Sequence, residues 1–179
     1  MIARVIERVD GGASLEVQVA APIDAPQRVA GLVLACTSAK MDRTFWADRA
    51  VEVSTNGLSG ILEGTVARQL SAKFAANHPD IVDTTRAMIG GTASQGYAGC
   101  AAAIREMDLL PELPRLSLPT MVIAGTFDQA TPFEGHGDRI VGAILGARST
   151  LLSTGHLACV EAPVEFSRCL ADFAATLSK

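Results

Sequence analysis

The sequence lacks the features that mark several large classes of protein. Aromatic residues make up 4% of the 179 residues and charged residues 19%, and the formal net charge of −4 is spread without runs. Nucleic acids and acidic membrane surfaces are bound by clustered basic residues, so neither partner is expected. No apolar stretch reaches the roughly 20 residues that a membrane-spanning helix needs.

Cysteine is scarce and carries no recognisable pattern. The four cysteines are widely spaced and form no Cys-x-x-Cys pair: Cys36, Cys100, Cys159 and Cys169. This spacing favours four buried thiols over a disulfide framework or a zinc site, and it fits a reducing, cytoplasmic location. Ligand-spaced His and Cys clusters and glycine-rich phosphate loops are missing too, so no metal and no cofactor is expected.

What the sequence does contain is the pattern of an α/β protein. Residues 29–35 and 120–125 are continuous apolar runs, which are typical of strands buried on both faces of a parallel sheet. A third strand is predicted over residues 149–153. Helices predicted over residues 132–146 and 163–177 alternate with these strands, so a mostly parallel sheet is expected.

A long helical segment interrupts this pattern. Apolar residues recur at three- and four-residue spacing in residues 58–74 and 98–110, which predicts about four short helices within residues 42–115. The interruption predicts two structural units. An α/β core would comprise residues 1–41 and 116–179, and residues 42–115 would form a helical insertion.

The N-terminal residues alternate instead with period two. Residues 2–9 and 14–20 flank Asp10-Gly-Gly12, a turn signal that favours antiparallel pairing. An N-terminal β-hairpin is therefore predicted, with Ser14 as an ordinary strand residue.

Two polar residues follow predicted strands at the positions where functional groups of parallel sheets lie. Asp128 comes three residues after the strand 120–125, and His156 comes three residues after the strand 149–153. A carboxylate that binds an imidazole fixes its tautomer and stabilises its charged form, as in hydrolytic triads. Taken singly, such an Asp is more often a turn former and such a His more often structural. Their order, acid before base, favours the catalytic interpretation.

Four blocks of the chain together resemble the 3-oxoadipate enol-lactonases, a family of α/β-hydrolases. These blocks are RVAGLVLA (28–35), GYAGCAAAIREMDL (96–109), PTMVIAGTFDQATP (119–132) and HLACVEAP (156–163). The resemblance implies that Asp128 is the triad acid, that His156 is the triad base and that residues 42–115 form a lid over the substrate. Trp46 and Arg49 match lid positions of the family. A packed aromatic and a solvated charge are the alternatives for these two residues.

The chain departs from this family at the nucleophile. No Gly-x-Ser-x-Gly elbow occurs, and Gly12-Ala-Ser-Leu-Glu16 places a glutamate where the second glycine is required. Ser14 is therefore a weak candidate and the nucleophile is unknown. Cys36 and Cys159 are better explained as inert thiols. An internal deletion that removed the elbow strand and half of the oxyanion hole accounts for the spacing.

Two functions remain open at this point. The first is hydrolysis of a small-molecule carboxylic ester or lactone, in the catabolism of aromatic compounds, as the resemblance implies. The alternative is a non-catalytic hydrolase remnant that binds a small acid or associates with itself. A sheet without its central strands exposes unpaired backbone, so a homo-oligomer is expected under either interpretation.

Overall fold

A computed structural model of the chain describes the backbone of residues 2–7 and the whole of residues 28–177. Within these residues one four-stranded sheet has the order β1-β2-β3-β4. Its strands are β1 (Ile2–Glu7), β2 (Val29–Ala35), β3 (Thr120–Gly125) and β4 (Arg148–Leu152). β1 pairs with β2 in antiparallel orientation, while β2, β3 and β4 are parallel neighbours. The predicted α/β class and mostly parallel sheet are confirmed.

The N-terminal hairpin was predicted from two alternating segments, and only the first is described. Residues 2–7 form β1, whose partner in the described part of the chain is β2. Residues 14–20, with Ser14, lie outside the described residues, so the pairing within the hairpin stays a prediction.

Residues 42–115 contain five α-helices, where about four were predicted. They are α1 (Arg43–Asn56), α2 (Leu62–Ala67), α3 (Ala72–Asn77), α4 (Pro79–Gly90) and α5 (Ser94–Glu106). The apolar run 58–74 spans two of them, because a new helix begins after Ser71. The Ser71 side chain accepts a hydrogen bond from the Phe74 backbone N–H and so begins a new helix there.

The helix predicted over residues 132–146 is also shorter than expected. Only Asp138–Ala143 is α-helical (α6), and residues 133–137 form an irregular turn. Glu134 is extended and Gly135 has a φ of 83°, a left-handed conformation that glycine adopts without strain. Two further helices, α7 (Ala158–Glu161) and α8 (Pro163–Leu177), complete the described chain, and α8 has the predicted bounds.

The core lies on both faces of the sheet because β2 and β3 send alternate side chains to opposite sides. One face packs against α6 and the segment before β3; its members include Leu32, Leu34, Val122, Ile140, Ile144 and Leu116. The other packs against α8; its members include Val33, Met121, Ile123, Phe166 and Phe173. Each such side chain contributes about 1.5–3 kcal/mol by burial, which explains the continuous apolar runs in the two strands.

The helices of residues 43–106, here called the helical segment, pack mainly on one another. α1 lies along α5, and α2 and α3 pack against α4. No helix in the described residues is long and apolar enough to cross a membrane. The helical segment contacts the sheet region at the junction of α2 and α3 and along one cavity, both of which are described next.

Candidate functional site

The loops that follow β3 and β4 meet at the carboxyl edge of the sheet and carry Asp128 and His156. The backbone N–H of Thr126 donates to Leu152, and that of Phe127 donates to Thr154 at 2.9 Å. A Cβ on Gly125 would come within 2.4 Å of the Thr154 carbonyl oxygen. Only glycine therefore lets the two loops approach this closely at that position.

Asp128 and His156 form the predicted hydrogen bond. Nδ1 of His156 lies 2.9 Å from Oδ2 of Asp128, which confirms the expected geometry. Oδ1 of Asp128 accepts from the backbone N–H groups of Ala130 at 2.8 Å and Thr131 at 2.9 Å. The Thr131 hydroxyl donates to Oδ2 at 3.0 Å. The buried carboxylate is thus fixed by four contacts and holds the imidazole ring in one orientation.

The electrostatics of this pair favour an ionised aspartate. Burial alone would raise the pKa of Asp128, but the hydrogen bond and charge of His156 and the N–H groups of Thr131 and Ala130 outweigh it. The pKa of this carboxyl is therefore below its usual value. With Nδ1 on the carboxylate, Nε2 is the ring atom left to exchange a proton, and no group in the described ranges binds it.

His156 lies on the wall of a cavity of about 770 Å³ between the sheet region and the helical segment. Cys36, Ser38 and Thr131 line the sheet side with it, and residues of α1, α2, α4 and α5 line the opposite side. The lining is largely apolar with a few polar groups, as in small-molecule sites.

The helical side of the cavity carries two arginines. Arg49 donates to the Thr65 hydroxyl at 2.9 Å and lies 3.4 Å from the Tyr97 hydroxyl. Arg49 and Arg68 both lie over the ring of Phe45, at 5.0 and 5.4 Å from its centroid. Neither forms a salt bridge with a carboxylate in the described residues. Burial, followed by the charge of Arg49, lowers the pKa of Arg68.

A polar group without a partner in the described part of the chain lies on the same helix as Arg49. Nε1 of Trp46 is buried and has no hydrogen-bond partner among the described residues. A buried indole N–H without a partner costs free energy, about 1–3 kcal/mol. Trp46 and Arg49 were singled out in the sequence, whereas Arg68 was missed. The sequence does contain a signal for Arg68: no acidic residue stands three or four positions away, so this arginine has no local partner for a salt bridge.

The cysteines differ from the expectation of four buried thiols. Cys36 is buried, but Cys100 is exposed, and Cys159 and Cys169 are half-buried. Burial and the charge of Asp128 raise the pKa of the Cys36 thiol to about 11, so it is protonated near neutral pH and inert as predicted. Cys100 lies on the solvent-facing side of α5. The apolar pattern of the sequence did not indicate which side of this helix is exposed.

The side chain of Glu161 connects the loop of His156 to the helical segment by hydrogen bonds. Glu161 accepts hydrogen bonds from the Ser71 backbone N–H at 2.7 Å, the Ser71 hydroxyl at 2.5 Å and the Gly155 backbone N–H at 2.9 Å. The Leu157 N–H donates to the Gln69 carbonyl at 2.9 Å. The junction of α2 and α3 is therefore fixed directly against the histidine.

Comparison with known proteins gives a consistent picture. No family model matches the chain. The 3-oxoadipate enol-lactonase 2 of Acinetobacter baylyi is 31% identical over 79% of this chain and 53% of its own length. The enol-lactonase structure from Burkholderia xenovorans has a TM-score of 0.82 at 29% identity, over 88% of this chain and 60% of that one.

A thermophilic esterase from Thermogutta terrifontis, solved with malate bound, has a TM-score of 0.80 at 26% identity over 88% of this chain and 60% of its own. The chain spans about half the length of the curated relatives that it matches. Sequence and structure agree over this shared part, so the chain belongs to the α/β-hydrolase superfamily and resembles 3-oxoadipate enol-lactonases over part of their length.

Proposed function

We propose that the chain hydrolyses a small carboxylic ester or lactone that itself carries an acid group. The observation that carries the proposal is the His156–Asp128 pair at the wall of the cavity. An imidazole held by a buried carboxylate, with its second nitrogen left free, is an arrangement suited to proton transfer at a reacting oxygen.

In this proposal Asp128 and His156 have separate roles. Asp128 remains ionised, fixes the Nδ1 tautomer and compensates the charge of the imidazolium. Nε2 of His156 exchanges a proton with the oxygen that is gained or lost at the carbonyl. The nucleophile is a third group, since neither of these side chains is placed to attack a carbonyl while it exchanges protons.

The two arginines of the helical side support an acidic substrate. Arg49 and Arg68 place two positive charges on a largely apolar cavity, and within residues 28–177 neither forms a salt bridge with a carboxylate. A substrate carboxylate there would pair with the guanidinium groups. Malate, which the esterase relative binds, is a small dicarboxylic acid of this kind.

The lid assignment belongs to the same proposal. Residues 42–115 would act as the lid that recognises the acid, and residues 1–41 and 116–179 as the core that carries Asp128 and His156. 3-Oxoadipate enol-lactone is the first substrate to test, because the curated relatives named for it match this chain and it carries a free acid.

The test is a hydrolysis assay on matched substrates. The purified chain should hydrolyse the enol-lactone and small acid-bearing esters faster than the corresponding neutral esters. His156→Ala should abolish the activity, whereas His78→Ala should not, because His78 stacks on Phe74 outside the cavity lining. Hydrolysis no faster than the uncatalysed rate on every substrate of the panel would refute the proposal.

A further inference from the structure

A second histidine of the same region contacts a serine. Nδ1 of His136, in the irregular turn before α6, lies 2.8 Å from Oγ of Ser38 in the loop after β2. The two residues are 98 positions apart in sequence. Ser38 is only 6% exposed, and it lines the cavity that His156 also lines.

The hydroxyl of Ser38 has more potential partners than it has protons. Its oxygen lies 2.6 Å from the Lys40 carbonyl and 3.3 Å from the Lys40 N–H, besides the contact with His136. The single O–H can donate either to the Lys40 carbonyl or to Nδ1 of His136. A hydroxyl within reach of a neutral imidazole, at the wall of a substrate cavity, is the arrangement of an activated nucleophile.

The surroundings keep this imidazole able to accept a proton. Burial lowers the pKa of His136 from its usual value. The charges of Asp128 and Asp138 oppose the shift, the charge of Arg139 adds to it, and the net direction is downward. His136 is therefore mostly neutral at pH 7, with a lone pair available once Nε2 carries the ring proton.

We propose that Ser38 is the nucleophile of this cavity and that His136 is its proton acceptor. This inference rests on the proposed hydrolase function and supplies the group that it leaves open. It also explains how hydrolysis could proceed in a chain without a Gly-x-Ser-x-Gly elbow, since the serine comes from the loop after β2 instead.

The reaction balances with both histidines neutral at the start. In the first step the Ser38 O–H proton passes to Nδ1 of His136 as Oγ bonds to the carbonyl carbon. The bond to the leaving oxygen breaks, and that oxygen takes the proton from His136. In the second step water attacks the acyl group and gives a proton to Nε2 of His156. The bond to Oγ then breaks as Oγ takes that proton from His156, and both histidines are neutral again.

The test uses a fluorophosphonate probe, which reacts with activated serines, on the intact chain. Peptide mass spectrometry should find the phosphonyl group on Ser38. Ser38→Ala should lose both labelling and hydrolysis, while Ser54→Ala, a change on the exposed face of α1, should retain both. His136→Gln should slow labelling by about 10²-fold or more, the usual contribution of a general base.

A pH profile separates a proton acceptor from a structural contact. Labelling of the wild type should decline as His136 becomes protonated at acidic pH, and His136→Gln should lose that decline while its circular dichroism stays unchanged. Site identification on the wild-type chain needs no variant, so misfolding of Ser38→Ala cannot obscure it.

The outcomes distinguish this inference from the proposed function. If the chain hydrolyses esters but the label falls on another residue, or on none, Ser38 is not the nucleophile and the hydrolase proposal stands. If the chain neither hydrolyses the panel nor reacts with the probe, both proposals fail. Labelling confined to Ser38 and dependent on His136 supports both.

Discussion

The two sides of the cavity differ in how their polar groups are paired. On the sheet side, the Asp128 carboxylate accepts four hydrogen bonds, and Nδ1 of His156 is one of its partners. On the helical side, Arg49 and Arg68 lack a carboxylate partner and the Trp46 N–H lacks any partner among the described residues. The polar groups of the sheet side satisfy one another without a ligand, whereas the arginines of the helical side remain available to a ligand carboxylate.

The largest effect should come from a substitution on the sheet side, at the carboxylate that holds His156. Asp128→Asn keeps the shape of the side chain but can donate to Nδ1 and favour the wrong tautomer of His156. We expect kcat to fall on the order of 10⁴, the size of effect that this change has in serine proteases. Steady-state kinetics with the best substrate of the panel measures it. A kcat of Asp128→Asn within tenfold of the wild-type kcat would show that His156 acts without a carboxylate partner.

The helical side should instead control the binding of acidic substrates. Arg68→Leu should raise KM for an acid-bearing ester roughly 10- to 100-fold, since a hydrogen bond to a charged group contributes about 1.5–3 kcal/mol. KM for the matched neutral ester should stay nearly constant. Arg105→Leu, at an arginine outside the cavity lining that pairs with Glu106, is the control. An equal change in KM for the acid-bearing and the neutral ester would show that Arg68 does not bind the acid group.

The contact between the two sides should have a smaller and separate effect. Glu161→Gln retains an acceptor but loses the charge that holds Ser71 and Gly155, so it should lower the free energy of unfolding by about 1–3 kcal/mol. Urea unfolding followed by circular dichroism provides the value. Glu165→Gln, at an exposed position in the first turn of α8, should cost less, because it loses only an interaction of about 0.3–1 kcal/mol with the helix dipole. If both variants unfold alike, the Glu161 contact contributes nothing to stability.

At acidic pH the chain should lose the stability that the ionised Asp128 contributes. The pKa of Asp128 is lowered in the folded chain, so its contribution to stability is complete above the unfolded value near 3.9 and is lost as pH falls through the lower folded value. Wild type should therefore lose more stability between about pH 5 and pH 2 than Asp128→Asn does. Urea unfolding of both proteins at several pH values gives the slope of the free energy of unfolding against pH for each. Identical slopes would contradict a lowered pKa of Asp128.

The weakest expected effect concerns self-association. In the described part of the chain, β4 has β3 as its only strand neighbour, and Leu151 of β4 is 50% exposed. We expect copies of the chain to associate through this edge. Light scattering over a wide concentration range should give a mass above that of one chain, and Leu151→Lys should lower it. A constant monomer mass would contradict the expectation.

The sequence predicted the parts of the fold that repeat locally. β2, β3 and α8 have the predicted bounds because continuous apolar runs and a helical period are visible within a few residues. Asp128 and His156 were found because each stands at a fixed distance from a predicted strand end. Such signals need no knowledge of distant contacts.

The remaining features depend on contacts between residues far apart in the chain. Ser38 meets His136 across 98 positions and Ser71 meets Glu161 across 90, and neither pair leaves a local pattern. The end of α2 before Ser71 and the irregular turn around Gly135 were missed for a related reason. Apolar periodicity continues through both places, while a cap and a left-handed glycine decide the backbone.

The Glu161 contact holds one side of the cavity in place. Because Glu161 binds both Ser71 and Gly155, displacing the junction of α2 and α3 would also displace the loop that carries His156. Within residues 28–177, α4 has no hydrogen bond to that loop, and its cavity-lining residue Met88 is 72% exposed. We therefore expect a small molecule to reach the cavity on the α4 side, where its passage would leave the Asp128–His156 pair in position.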